Sequence, residues 1–259
     1  MRVFVLPEKA LAERQTEISG KDFHYLARVL RVKAGEQFLG TDGRGRFRRC
    51  TVDRIGRRSL ELRLEKAPPA AFPDPEAQEP RICLIQCLPK GRKMDLIVRQ
   101  ATEAGVVRLI PVFSRFSGHR IEESSETKRA CDRWLRIARE ALQQSGAALS
   151  PVIEGPVKLE AAVELLAAPQ AEEARLVFHP RRIAGSDTLH RSLSKNQKNV
   201  TLVVGPEGGL ADQEIALLRS RGFVPVTLSS TVLRTETAAL YAIAAVQAVT
   251  HERQTWKLT

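Results

Sequence analysis

Apolar and polar positions alternate strictly along Leu60-Glu61-Leu62-Arg63-Leu64, the period of a strand with one buried face. Val3/Val5 and the segments around Phe38, Phe47 and Val52, set among glycines, read the same way. Asp42-Gly43 between two such runs is a hairpin signal. Only Lys21 to Val32 has helical spacing, with Phe23, Leu26, Ala27 and Leu30 on one face. The pattern predicts a small β-barrel over residues 1–72.

Residues 66–80 hold five prolines and no periodicity, which predicts a stiff linker. Beyond it the period switches between strand and helix. Strands are expected at Arg81 to Leu88, Val106 to Val112, Arg175 to Phe178, Val200 to Val204 and Val224 to Leu228. Between them, Met94, Ile97, Val98 and Ala101 mark one helix, and Trp134, Ile137, Ala138, Ala141 and Leu142 another. Further helical stretches lie near residues 158–167, 187–194 and 212–221, and an alanine-rich helix runs from about Thr235 to Thr250. This rhythm predicts a mainly parallel sheet covered on both faces over residues 78–259. The fold class is α/β, with a small β-barrel in front.

Charge changes that picture. The chain carries 41 Lys+Arg against 30 Asp+Glu, a formal +11, and residues 1–66 alone hold 16 basic and 9 acidic side chains. Arg44, Arg46, Arg48, Arg49, Arg54, Arg57 and Arg58 are interrupted by one acid, Asp53. An Arg-rich sheet face suits phosphate contacts; the bland alternative is a solvated basic surface. No apolar run approaches the length of a membrane span, and the opening Met1 to Pro7 is too short for a signal peptide, so a cytosolic protein is expected. Cys50, Cys83, Cys87 and Cys131 lack metal-ligand spacing, and the five histidines are scattered; neither a disulfide framework nor a metal site is expected.

Two C-terminal motifs carry the chemistry. Leu202-Val203-Val204 breaks into Gly205-Pro206-Glu207-Gly208-Gly209-Leu210, where Pro206 sets a turn and the glycines permit positive φ and close backbone approach. The loop has neither dinucleotide-fingerprint nor P-loop spacing; it offers bare peptide groups to a flat heterocycle, or is a plain tight turn. Leu233-Arg234-Thr235-Glu236-Thr237-Ala238 sits where a strand exit meets an apolar helix. Glu236 there suits the helix dipole, a structural role, whereas a cation at Arg234 is disfavoured. Function, or an ion pair with Glu236, must compensate. Lys90 and Lys93 lie in a basic loop entering an earlier helix, positioned for a phosphate or simply solvated.

With G-P-E-G-G and L-R-x-E-T-A in place, the chain resembles the SPOUT superfamily of bacterial RNA methyltransferases, and within it the small-subunit rRNA uridine-N3 methyltransferase E family. The resemblance extends to His24-Tyr25-Leu26-Ala27-Arg28-Val29-Leu30-Arg31, Lys90 to Asp95, Thr102 to Val106 and Trp134 to Gly146. It implies a PUA-like RNA-binding barrel, a trefoil-knotted methyltransferase domain and a homodimer. The implied cofactor is S-adenosylmethionine, held by Phe178, His179, Val204, Gly205, Pro206, Glu207, Gly208, Gly209, Leu228, Ser229, Val232, Leu233, Arg234 and Thr237. The implied substrate is 16S rRNA in the assembled small subunit, contacted by Arg28, Arg31, Arg46, Arg48, Arg49, Lys90 and Lys93. Arg234 and Glu236 are the candidate catalytic pair. Two stretches depart from the family pattern. Ser114-Arg115-Phe116-Ser117 stands where S-E-R-S is usual, and Ala147-Ala148 where an Arg follows Q-S-G. Arg115 or Arg120 would then supply the RNA contact. The competing readings are a non-enzymatic RNA-binding or assembly factor on the same fold, and methylation of a different nucleobase atom.

Overall fold

The alternating run forms β5 (Ser59–Lys66), with Leu60, Leu62 and Leu64 buried and Glu61, Arg63 and Glu65 exposed. The structure, a computed structural model, describes residues 3–7, 10, 12–44, 46–66, 80–118, 124–146, 149–168, 170–193 and 197–255. The expected linker, apart from its ends, lies outside the described residues, as do Arg120 and Ala147-Ala148. The chain divides into two compact units, Met1–Ala77 with Leu142–Leu149, and Gln78–Ala141 with Ser150–Thr259.

In the first unit β5 pairs antiparallel with β2 (Gln15–Ser19) and β4 (Phe47–Ile55). β4 pairs with β3 (Gln37–Thr41) across the Asp42-Gly43 turn, and β3 runs parallel to β1 (Val3–Val5). The sheet order is β1-β3-β4-β5-β2. No β1–β2 pairing closes the ring among the described residues, so the expected barrel takes the form of a curled half-barrel. One core of Phe4, Ile18, Phe38, Val52, Leu60 and Leu62 fills it. The predicted helix is α1 (Gly20–His24), continued by a π-helical turn over Tyr25–Val29, and it lays Phe23 and Leu26 on that core.

The second unit is a parallel sheet of β6 (Arg81–Cys87), β7 (Arg108–Phe113), β8 (Val152–Ile153), β9 (Val157–Lys158), β10 (Glu173–Phe178), β11 (Asn199–Val204) and β12 (Val224–Val226). Its order is β12-β10-β11-β6-β7-β8, with β9 also on β7. Alternate residues face opposite helical layers. Ile82, Leu84, Leu176 and Leu202 pack with α2 (Lys93–Glu103), α3 (Ser124–Ser145), α5 (Leu189–Ser192) and α7 (Thr235–Thr255). Ile85, Cys87, Val177 and Val203 pack with α4 (Leu159–Glu164) and α6 (Asp212–Ser220). Cys83 and Cys87 share this second side as free thiols. Burial pushes both, and Cys50, up to about 12.

The path of the chain end positions the site. β12 is the sheet edge next to β10, yet α7 packs against α2 and β11, deeper in the sheet. The chain leaving β12 therefore doubles back across the carboxyl ends of β10 and β11. Sequence periodicity carries no trace of such a crossing.

Candidate cofactor and RNA site

Register fixes the three strand ends together, Phe178 standing opposite both Val204 and Val226. The loops that leave them enclose a cavity of about 600 Å³, at the carboxyl edge where open α/β sheets take ligands. Phe178, His179, Val204, Gly205 to Gly209, Leu228, Ser229, Val232, Leu233 and Arg234 all line it. Thr237 is not among the residues that line it. It lies in the first turn of α7 and is exposed, because the turn carries its side chain away from the cavity side that Ala238 and Tyr241 occupy.

A buried polar relay fixes the glycine loop. Thr235 Oγ1 donates to the Gly205 carbonyl at 2.7 Å and accepts from Gln86 Nε2 at 3.1 Å. Gln86 is wholly buried in β6, and Nε2 also donates to the Cys87 carbonyl at 2.9 Å. Gly209 N donates to Pro206 O at 2.9 Å and Gly209 adopts φ +75°, a left-handed turn residue that a side chain would strain. On the first wall, His179 Nδ1 lies 2.6 Å from the Arg181 carbonyl oxygen.

Charge is organised beside the cavity. Lys93 Nζ bonds Glu207 Oε1 at 2.5 Å and stands 3.9 Å from Glu236 Oε2. The Lys90 N–H also donates to Glu207, at 3.2 and 3.3 Å. Burial works to raise the Glu207 carboxyl, but the Lys93 ammonium and the backbone donors outweigh it and hold the group below its usual range. The alternative in which Arg234 pairs with Glu236 is not realised, since the partner of Glu236 is Lys93. Arg234 is exposed at the cavity, and its side chain makes no hydrogen bond or ion pair among the described residues.

The basic residues divide between the units, Lys90 and Lys93 belonging to the second. In the first, the sequence cluster separates in space. Arg44 and Arg46 sit at the β3–β4 turn, whereas Arg57 and Arg58 occupy the β4–β5 turn at the other end of nine-residue β4. Arg48 and Arg49, being adjacent in that strand, point to opposite faces. The expected single Arg-rich face is thereby corrected to two groups. Arg46 Nε is bound to Asp42 at 2.6 Å. Arg48 joins Arg14, Arg63 and Lys66 along an open groove of about 820 Å³. Arg28 is exposed on the π-helical turn, and Arg31 follows it at φ +53°.

Sequence reasoning missed Arg181, Thr231, Ala238 and Tyr241 in the cavity wall. Arg234, Ala238 and Tyr241 are spaced by four and three residues, so one stripe of α7 was legible. Gln86 was also detectable, as a lone amide in the apolar run Ile82 to Cys87.

A family model for the RNA methyltransferase domain matches residues 76–247, and one for the RNA methyltransferase PUA domain matches residues 18–65. Ribosomal RNA small subunit methyltransferase E of Mycobacterium tuberculosis is 31% identical over 242 residues, 90% of this chain and 86% of that protein. The Bacillus subtilis protein of the same name is 26% identical over 253 residues, 95% of each chain. Among solved structures, the Neisseria gonorrhoeae methyltransferase E bound to S-adenosylmethionine is 27% identical, with a TM-score of 0.80 over 96% of this chain and 98% of that one. A Legionella pneumophila protein in complex with the same cofactor gives 0.78 at 27% identity, over 95% and 96%. The chain therefore belongs to the ribosomal RNA small subunit methyltransferase E family, a SPOUT α/β-knot domain joined to a PUA-like half-barrel.

Proposed function

We propose that this RNA methyltransferase transfers the methyl group of S-adenosylmethionine to N3 of one uridine in 16S rRNA. It acts on the small ribosomal subunit, as a cytoplasmic homodimer. One observation carries the reading: the three strand-end loops enclose a single cavity, and Arg234, its side chain unpaired among the described residues, lies on the cavity wall.

The cavity residues fit the cofactor. Phe178, Val204, Leu228, Val232 and Leu233 provide apolar walls for a flat heterocycle. The Gly205 to Gly209 backbone supplies peptide groups at which the glycines present no side chain. When bound, the cofactor supplies an electrophilic methyl group. The remaining chemistry belongs to the protein.

The N3–H of uracil is a weak acid and a poor nucleophile. Arg234, placed beside O2 or O4, stabilises the uracil anion and so eases release of the N3 proton to solvent water. Glu236 and Glu207 hold Lys93 at the same edge, which leaves Arg234 free to meet substrate. N3 is on the Watson–Crick edge, so the base enters unpaired. The basic residues of the half-barrel supply phosphate contacts that set the register of the RNA.

The test is cofactor binding by calorimetry, together with labelled methyl incorporation into small subunits from cells lacking this gene. Binding with incorporation supports the reading. Loss of both would turn the assignment to an RNA-binding factor without turnover.

A further inference from the structure

We infer that Phe116, with the Arg115 guanidinium over its ring, is a stacking platform for an unpaired RNA base at the mouth of the cavity. The inference rests on the RNA-methyltransferase reading proposed for this chain.

The turn that carries Phe116 is fixed at several points. Ser114 N donates to Ser117 Oγ at 3.0 Å, and Ser117 N donates to Ser114 O at 3.1 Å. Arg115 N donates to Glu214 Oε1 at 2.7 Å, while the other oxygen of that buried carboxylate accepts from Ala211 N at 2.8 Å. Glu214 thus ties the turn to the start of α6, just beyond the glycine loop. The platform is pre-organised, so a base settling on it orders little of the protein.

Phe116 borders the cavity through Gly208. A Cβ on Gly208 would come within 2.7 Å of the Phe116 Cβ, so the aromatic residue packs directly on a glycine that lines the site. Yet Phe116 is 44% exposed and belongs to none of the buried clusters. The Arg115 guanidinium lies 5.7 Å from the ring centroid. An exposed aromatic residue with a delocalised cation within cation–π reach of its ring is the kind of surface on which unpaired bases stack. Methylation at N3 requires such an unstacked strand beside the cavity. Neither the core nor the glycine loop needs the π-face; an aliphatic side chain would fill the same contact with Gly208.

That difference supplies the test. Phe116→Ala, Phe116→Leu and Phe116→Trp are compared in the full-length protein for affinity to a single-stranded uridine-rich RNA oligonucleotide, for KM and kcat on small subunits, and for S-adenosylmethionine affinity. Thermal melting controls for folding. The expected result is that Ala and Leu each weaken oligonucleotide binding about fivefold or more, the scale of one lost base stack, and raise KM for subunits. Trp retains binding, and cofactor affinity stays within about twofold in all three. Wild-type RNA affinity in Phe116→Leu would overturn the proposal, because packing on Gly208 would then suffice. So would cofactor affinity that falls in step with RNA affinity, or a Trp variant as weak as Ala. Failure of the wild-type protein to methylate subunits contradicts the functional reading instead, and the oligonucleotide series still decides the role of Phe116.

Discussion

Gln86 Nε2 donates to the Thr235 hydroxyl at 3.1 Å, and that hydroxyl donates onward to the Gly205 carbonyl at 2.7 Å. Three segments far apart in sequence are joined by this pair: the first strand of the catalytic unit, the glycine loop, and the start of the returning helix. Both side chains are buried, so deleting the Thr235 hydroxyl takes the donor from the Gly205 carbonyl and the acceptor from one Gln86 N–H, while the bond from Gln86 to the Cys87 carbonyl remains.

Thr235→Val keeps the volume and deletes the hydroxyl. The expected cost is about 1–3 kcal/mol of stability, the penalty of stranding buried polar groups. Cofactor affinity falls as well, because Gly205 lines the cavity. Urea midpoints and calorimetry check the two effects. An unchanged midpoint would mean the relay is dispensable.

Arg234→Ala should reduce turnover about a hundredfold or more, the scale of removing one group that stabilises charge in the transition state. Cofactor affinity stays within severalfold. Single-turnover methyl transfer separates the effects, and unaltered turnover would remove Arg234 from the mechanism.

The Lys93–Glu207 pair gives a pH signature. Despite opposition from burial, Lys93 and the backbone donors hold the Glu207 carboxyl below its ordinary 4.5. The fold favours the charged form, so the stability contribution is full above that value and disappears as pH falls through the lowered one. Wild type should exceed Glu207→Gln in stability near neutral pH, by a margin kept small because both side chains are partly exposed. The margin should close on acidification below 4.5. Urea midpoints across that range check it, and a margin independent of pH would contradict the pairing.

Strand and helix order in both units was legible because buried faces impose period 2 or 3.6 on the sequence, as Leu60, Leu62 and Leu64 illustrate. The cavity wall was legible from the glycine loop and the Arg234 segment. Two things were not. The return of the chain across β10 and β11 is topological, and local periodicity does not record it. The arginine run looked like one surface, because spacing along the chain does not show that residues 44–46 and 57–58 end up at opposite ends of β4. Matching a motif likewise does not fix which face of a helix each residue takes, as Thr237, exposed and off the cavity wall, illustrates.

The separation of those arginines allows a test of which end of the half-barrel meets RNA. Arg14→Ala with Arg48→Ala, in the groove, should shallow the dependence of log affinity on log salt by about one to two. Arg57→Ala with Arg58→Ala, at the far turn, should leave the slope near wild type. The reverse outcome would place RNA on the other end of the half-barrel.

The most direct measurement incubates the protein and methyl-labelled S-adenosylmethionine with small ribosomal subunits lacking the modification, then maps the product by mass spectrometry. A single N3-methyluridine in 16S rRNA is the expected product. Label on another nucleobase atom, or none despite intact cofactor binding, would contradict the assignment.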